Sequence, residues 1–148
     1  MNVIDKIRER LKKYPDARYQ ADEAHVSVSP RDGCGFEVSL VKSSAGFTVT
    51  FDGWHEHCTS EVEALSCFAF GLTSACRLRV EFRGNFPYRW TVEARDGSGW
   101  RTDSTVGLFF YPFWRRYREE YRGNSLIPEV KSFDEQYGRD GIDNAPGG

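Results

Sequence analysis

The residue types best suited to chemistry are gathered in one short stretch, residues 51–63. It reads F-D-G-W-H-E-H-C-T-S-E-V-E and contains two of the three histidines, one of the four cysteines and one of the four tryptophans. Its end carries a helix-capping signal, because Ser60 and Glu63 can satisfy the first free backbone N–H groups of a helix. Titratable side chains at the junction of a strand and a helix could form a ligand site. The candidate ligand-binding residues are Trp54, His55, His57 and Cys58.

A metal site is one hypothesis for the two histidines. On a strand, His55 and His57 would lie on the same face, within reach of a single metal ion. A third ligand could come from His25, Asp52 or Cys58, but no second motif selects one of them. Two histidines at this spacing are also common by chance, so we favour a structural or solvent-exposed pair.

Gly53 argues against convergence of these side chains. A glycine inside a strand pattern weakens the strand, so we expect residues 54–59 to form a connecting loop without strict alternation. The two imidazoles then need not share a face. We predict that His55 and His57 are at least partly exposed, and we expect no bound metal and no cofactor.

A nucleophilic thiolate is another hypothesis for this stretch. Cys58 stands two residues before the expected N-cap Ser60, where the helix N-terminus and a nearby imidazole could lower the pKa of the thiol. However, no Asn or Asp is identifiable as an orienting residue, and no known signature surrounds the cysteine. We therefore assign no catalytic residue. None of the four cysteines lies in a C-x-x-C pair or at zinc-finger spacing, so we expect reduced thiols.

Size and composition indicate a single domain in the cytoplasm. The chain has 148 residues and a mean hydropathy of −0.59, and no apolar run approaches the ~20 residues of a spanning helix. The N-terminus is amphipathic and charged, unlike a signal peptide. Five acidic and two basic residues give the segment 124–148 a net charge of −3, which leaves +1 for residues 1–123. That charge is too small for a general phosphate-binding surface.

Arginine dominates the second half of the chain. Ten of the fifteen arginines lie between Arg77 and Arg122, where there is no lysine. Arginines interleaved with aromatics resemble a stacking platform for single-stranded nucleic acid. Strand alternation would instead send Phe82, Phe86, Tyr88 and Trp90 inward and the arginines outward, so nucleic acid is disfavoured as a partner.

Periodicity predicts the secondary structure. Helical spacing indicates a helix near the N-terminus, capped by Asn2, and a largely apolar, buried helix over 60–73. A short helix with an aromatic side is expected after Pro112. Alternation predicts strands at 25–29, 36–40, 47–51, 76–83, 88–95, 100–105 and 108–111.

Two hairpins can be predicted with their registers. A turn at 43–44 would pair Leu40 with Phe47, Val38 with Val49, and Phe36 with Phe51. In the second hairpin we expect Phe82 opposite Tyr88, Glu81 opposite Arg89, and Arg77 opposite Glu93. The outer face of the second hairpin then becomes a ladder of opposite charges.

The predicted fold is a single α+β domain over residues 1–123. One strongly bent antiparallel sheet of six to seven strands surrounds the 60–73 helix, in the order α-βββ-α-βββ(β)-α. Residues 124–148 form an acidic, glycine-rich C-terminal tail, which we expect to be flexible. The predicted core consists of Phe36, Val38, Leu40, Val49, Leu65, Phe68, Leu72, Val80, Trp90 and Val92.

Three motifs resemble those of a family of small uncharacterised bacterial proteins, some of them carried on mobile (integron-type) gene cassettes. The motifs are F-D-G-W-H-E-H-C at 51–58, E-A-L-x-C-F-x-F-G-L at 63–72, and P-Y-R-W-T-V-E at 87–93. The likeness spans roughly residues 36 to 122. It implies a bacterial, cytoplasmic setting and no activity, cofactor or catalytic residue.

Two functional hypotheses follow. The first is a non-catalytic module that binds a protein partner or itself as a homodimer, with Trp114, Tyr117 and Tyr121 as interface candidates. It rests on the missing catalytic set, the aromatic segment and the acidic tail. The alternative is a small-ligand-binding protein or enzyme with His55 or His57 as a proton carrier. That alternative requires a pocket of several hundred Å3 between sheet and helix, beside these histidines.

Overall fold

The computed structural model describes residues 1–127, which form two helices and nine strands. In chain order these elements are α1 (Val3–Leu11), β1 (Arg18–Ala21), β2 (His25–Ser29), β3 (Val38–Ser43), β4 (Gly46–Phe51), β5 (Trp54–Cys58), α2 (Glu61–Gly71), β6 (Cys76–Arg83), β7 (Phe86–Asp96), β8 (Gly99–Gly107) and β9 (Tyr117–Gly123). Residues 128–148, with most of the expected tail, lie outside the described residues.

The α+β class with antiparallel pairing is confirmed, but the single bent sheet is wrong. The strands form two sheets, one of five strands in the order β1-β2-β3-β4-β5 and one of four in the order β8-β7-β6-β9. Each sheet is built from strands close in sequence, and α2 stands between β5 and β6 in the chain. Two strands that we did not predict, β1 and β5, form the edges of the five-stranded sheet.

Both predicted helix caps are present. The Asn2 side chain accepts from the backbone N–H of Asp5 at 2.9 Å, and the Asp5 carboxylate accepts in return from the Asn2 N–H at 3.3 Å. Ser60 Oγ accepts from the N–H of Glu63 at 3.3 Å. These contacts satisfy N–H groups that the first turn of a helix leaves free. The second helix ends at Gly71, two residues earlier than predicted.

The core lies between α2 and the inner face of the five-stranded sheet, and it continues over the inner face of the second sheet. Helix α2 packs on β3, β4 and β5, and Gly71 faces the ring of Phe51. Of the ten predicted core residues, nine are buried, and Leu65 is half-buried at the surface of α2. The prediction that α2 is buried on most sides is wrong, because Val62 is 62% exposed.

We expect Gly71→Ala to lower the free energy of unfolding by about 1–3 kcal/mol, the usual cost of overpacking a core. A Cβ at this position would lie 2.4 Å from Phe51 Cε1, so the helix would have to move away from the sheet. Urea unfolding followed by circular dichroism measures the change. Gly33→Ala is the matched control, since a Cβ there meets nothing within 4 Å. Equal stability of both variants would contradict the close helix–sheet contact.

The hairpin registers differ in how well they were predicted. In the β3–β4 hairpin Leu40 lies opposite Val49 and Val38 opposite Phe51, so the predicted register is wrong by two residues. A two-residue shift keeps every side chain on its predicted face, which is why the core residues are still correct. In the β6–β7 hairpin the predicted pairs of Glu81 with Arg89 and Arg77 with Glu93 are confirmed. A bulge then places Phe82 opposite Pro87 instead of Tyr88.

The predicted C-terminal helix and the predicted strand at 108–111 are both wrong. The helix segment is strand β9, which pairs with β6, and residues 108–116 form the connection that precedes it. Alternation explains the strand, because Arg118, Glu120 and Arg122 share one face and form two ion pairs along it. The aromatic residues that suggested a helix after Pro112 belong to two different segments. Phe113 and Trp114 lie in the connection, whereas Tyr117 and Tyr121 lie in β9.

The chain does not leave the domain at residue 123. The Asn124 side chain donates to the backbone oxygens of Phe36 and Gly71 at 3.0 and 2.9 Å, and Leu126 is buried. Residues 124–127 therefore pack against the domain. Within residues 1–127, neither helix has the length and apolar character needed to cross a membrane.

Candidate functional site

The stretch that carries His55 and His57 is a regular strand, so the predicted loop at 54–59 is wrong. Asp52 takes a left-handed conformation with φ of 54°, which closes a tight turn between β4 and β5. Phe51 then lies directly opposite Trp54. The turn requires glycine at position 53, because the ring of Trp90 lies directly over it. A Cβ at this position would lie 2.2 Å from Trp90 Cε2.

The two histidines point away from the core. His55 and His57 lie on the outer face of the edge strand β5 and are exposed, which confirms the predicted exposure. His57 Nε2 lies 3.0 Å from the carbonyl oxygen of Ala45, as expected for an N–H donated to that oxygen. In residues 1–127 no group of three or more His, Cys, Asp or Glu side chains is placed to hold a metal ion.

The other two candidates of this stretch point inward. Trp54 is 2% exposed, and its indole Nε1 donates to Ser104 Oγ at 2.9 Å. Cys58 is also buried, and burial, together with the carboxylates of Glu56 and Glu63, raises the pKa of its thiol. This is the opposite of the shift that an activated nucleophile needs. Strand alternation thus divides the four candidates into two exposed and two buried residues.

We expect one thiol of the folded protein to react rapidly with a disulfide reagent at pH 8. Cys34 is exposed, whereas burial raises the pKa of the thiols of Cys58, Cys67 and Cys76, and less of each is present as reactive thiolate. Labelling with and without denaturant counts the reactive groups. Cys34→Ser should remove the rapid phase. Rapid labelling of Cys58 in the folded protein would contradict its buried environment.

Two surface depressions formed by residues 1–127 lie away from the histidines. A groove of about 400 Å3 lies between α1 and α2, and a shallower depression of about 740 Å3 lies beside α1 and β1. Neither His55 nor His57 lines either of them. Histidine-dependent catalysis would require a pocket beside His55 or His57, between sheet and helix. Neither of these two depressions is such a pocket.

The strongest candidate for a binding surface is the connection between β8 and β9. We call residues 108–116, with the sequence L-F-F-Y-P-F-W-R-R, the aromatic loop. Its beginning is fixed by a hydrogen bond from Leu108 N–H to the Tyr88 carbonyl at 2.7 Å, and its end by one from Gly84 N–H to the Arg116 carbonyl at 2.6 Å. In its middle, Tyr111 stacks on Tyr88 with ring centroids 4.2 Å apart.

Four large aromatic side chains of this loop point into solvent. Phe109 and Phe110 are 89% and 84% exposed, and Phe113 and Trp114 are 68% and 73% exposed. Each pair makes an edge-to-face contact, with ring centroids 5.2 and 5.4 Å apart. The rings therefore contact each other within the pairs while most of their area remains in water.

Unpaired positive charge accompanies these rings. Arg115 and Arg116 end the loop, and Arg83 lies at the end of the neighbouring strand β6, next to the Gly84 turn. None of the three forms an ion pair with a carboxylate of residues 1–127. The loop thus combines exposed aromatic area with two guanidinium groups, those of Arg115 and Arg116, whereas the Arg83 guanidinium lies 5.3 Å from the ring centroid of Tyr117.

The outer face of the four-stranded sheet adjoins the loop and carries the predicted charge ladder. Arg77 Nε donates to Glu93 Oε1 at 2.9 Å, and Arg89 lies 3.6 Å from Glu81 Oε1. Both glutamates are buried, at 6% and 7% exposure. The carboxylates of the ladder are therefore covered, in contrast to the solvated ladder that alternation alone predicts, while the Arg89 side chain remains 44% exposed.

Aromatic rings from β8 and β9 provide part of this cover. The Arg77 guanidinium lies between the rings of Trp100 and Tyr121, 4.4 and 4.2 Å from their centroids. The Tyr117 hydroxyl lies 2.9 Å from a carboxylate oxygen of Glu81. Arginines and aromatics thus share one face of the sheet. We did not predict this arrangement because we assigned the β9 segment to a helix. The faces of the Trp100 and Tyr121 rings are already in contact with Arg77 of the same chain.

The structure assigns different positions to the three predicted interface residues. Trp114 is in the aromatic loop, whereas Tyr117 and Tyr121 are half-exposed members of the arginine-rich sheet face. Sequence reasoning missed Phe109 and Phe110 because alternation assigned them to a strand. The signal that could have identified the loop is Pro112, since proline interrupts strands and helices alike.

Comparison of the chain with protein-family models, with curated proteins and with solved structures gave no match. The resemblance to cassette-borne bacterial proteins stays a prediction.

Proposed function

We propose that this protein is a non-catalytic interaction module that binds a protein partner through the aromatic loop. The observation that carries the proposal is the exposure of Phe109, Phe110, Phe113 and Trp114 on a loop that is fixed at both ends. Exposed apolar patches of this kind mark interaction surfaces, because water contact with so much aromatic area is unfavourable.

The composition of the loop supports protein recognition. Tryptophan, tyrosine and arginine are the residues most enriched among binding hot spots, and Trp114 is followed directly by Arg115 and Arg116. Charge also favours a partner with an acidic rim around an apolar pocket, since the three arginines near the loop lack carboxylate partners within residues 1–127.

The anchoring of the loop also supports binding. A loop that is already ordered loses less conformational entropy when it meets a partner, and its binding is correspondingly tighter. The hydrogen bonds of Leu108 and Gly84 and the stacking of Tyr111 on Tyr88 supply this order without using the exposed rings.

The test compares two doubly substituted baits with the wild-type protein. We expect F113S/W114S to bind the captured partner at least about 30-fold more weakly, the effect of losing one hot spot of about 2 kcal/mol. H55S/H57S is the matched control, because it also changes two exposed residues. Quantitative affinity capture from the source cells measures the difference. Loss of binding by the histidine variant, with F113S/W114S unaffected, would refute the proposal.

Sedimentation velocity separates a foreign partner from a second copy of the chain. If the partner is a second copy, the sedimentation coefficient of the wild-type protein rises with concentration and that of F113S/W114S does not. A sedimentation coefficient that stays constant for both proteins would indicate that the binding partner of the loop is a different protein. Both variants should unfold within about 0.5 kcal/mol of wild type, because the substituted side chains are exposed.

A further inference from the structure

The groove between α1 and α2 leaves apolar surface of α2 uncovered, whereas Ile7 and Leu11 of α1, which also line it, are buried. Its walls include Ile7 and Leu11 from α1 and Val62 and Leu65 from α2. Val62 is 62% exposed and Leu65 is half-buried. Helix α2 therefore presents a second apolar side, opposite the one that packs on the sheet, and residues 1–127 do not fill the space beside it.

The described chain ends at this groove. Ile127 is one of its lining residues, and its N–H donates to the carbonyl of Leu72 at 3.0 Å. Ile127 also forms an isolated bridge with Thr73, at the C-terminal end of α2. The last described residue therefore lines this groove, whose volume is about 400 Å3.

Length permits the next few residues to cover the groove. Helix α2 has 11 residues and is thus about 16 Å long at 1.5 Å per residue. Six extended residues span about 20 Å. The segment 128–135 can therefore reach from Ile127 to the first turn of α2, where Val62 lies.

The sequence of that segment complements the groove. It reads P-E-V-K-S-F-D-E, with Val130 and Phe133 as apolar residues and three carboxylates against one lysine. The groove is lined by Arg10 and Lys13, and neither is in an ion pair with a carboxylate of residues 1–127. The apolar residues of the segment thus match the apolar walls in character, and its acidic residues are opposite in charge to the basic residues of the groove.

We propose that the groove between α1 and α2 is the binding site for the chain's own segment 128–135, with Val130 and Phe133 as the anchoring side chains. Because the segment is covalently attached at the groove, its effective concentration is in the millimolar range, and modest complementarity is sufficient for binding. The proposal shares no residue with the aromatic loop and stands independently of the proposed function.

Nuclear magnetic resonance of the full-length protein with labelled methyl groups tests the proposal. We expect nuclear Overhauser contacts between the Phe133 ring and the methyl groups of Leu65 or Val62. In V130S/F133S the methyl resonances of Val62, Leu65 and Ile7 should shift, because the rings and methyls that covered them are gone. Both substitutions leave residues 1–127 unchanged, so we expect the variant to keep the described fold of those residues.

Ile142→Ser is the matched control, an apolar residue of the same C-terminal region outside the proposed segment. It should leave the groove resonances unchanged. Absence of the Phe133 contacts, or unchanged groove resonances in V130S/F133S, would overturn the proposal. Equal shifts in I142S and V130S/F133S would also overturn it, since the occupant would then not be the segment 128–135.

Discussion

Phe51→Ala is expected to lower the free energy of unfolding by about 3–5 kcal/mol, as for other buried phenylalanines. Phe51 is 0% exposed. Its ring lies 5.4 Å from that of Phe36 and 4.7 Å from that of Trp54, and it meets Gly71 across the helix–sheet contact. Truncation would leave a cavity between rigid elements. Because natural domains are stable by only about 5–15 kcal/mol, the variant would be close to unfolding.

Phe110→Ala provides the matched comparison for this prediction. The same atoms are removed, but Phe110 is 84% exposed in the aromatic loop, so the free energy of unfolding should change by less than about 0.5 kcal/mol. Guanidinium unfolding measures both variants. Similar losses of unfolding free energy in both variants would mean that the Phe110 side chain stabilises the fold. Its exposure could then not be taken as evidence for a binding surface.

Arg77→Ala is expected to lower the free energy of unfolding by about 3 kcal/mol, the lower end for breaking a buried ion pair. The substitution would leave the buried carboxylate of Glu93 without its 2.9 Å partner. It would also empty the space between the rings of Trp100 and Tyr121. The estimate is at the lower end because the Arg77 side chain remains 28% exposed. Thermal and urea unfolding measure the loss.

Arg95→Ala is the control for the ion pair. Arg95 also stacks on Trp100, with its guanidinium 5.2 Å from the ring, but it is exposed and forms no ion pair within residues 1–127. Its loss should therefore be small. The double variant R77M/E93L should recover much of the stability lost in Arg77→Ala, because replacing both partners leaves no unpaired charge. Equal costs for Arg77→Ala and Arg95→Ala would contradict a buried ion pair.

Period-two patterns in the sequence were sufficient for much of the core. Val38, Leu40 and Val49 are buried as predicted even though their hairpin register was wrong, because a two-residue shift keeps the same face inward. The β6–β7 register was correct up to the bulge, since opposite charges and apolar pairs both favoured it. Local patterns do not, however, determine which strands pair across α2, and the division into two sheets was missed for that reason.

The candidate site depended on features that single residues do not reveal. Gly53 indicated an interrupted strand. In the structure, the left-handed conformation of Asp52 makes the turn, and β5 begins directly after Gly53, at Trp54. The position of Trp90 over Gly53 is a contact between distant parts of the chain, which a single sequence cannot show. The exposure of His55 and His57 could be predicted because it requires no such contact.

The aromatic loop shows the opposite limitation. Hydrophobic residues are assigned to the core by default, so Phe109 and Phe110 were read as a strand and Phe113 and Trp114 as one side of a helix. Both loop ends are anchored to the β6–β7 hairpin, and the four rings remain exposed between these anchors, an arrangement that the pattern of a single sequence does not reveal.

Site-specific photocross-linking tests the role of the aromatic loop most directly. A benzophenone side chain replaces Phe113, and in a separate protein it replaces Gln20, an exposed residue of β1 in the other sheet. After illumination in the source cells, we predict discrete cross-linked species from position 113 and none from position 20. Identical products from both positions, or cross-links from position 20 alone, would contradict the assignment of the aromatic loop as the binding surface.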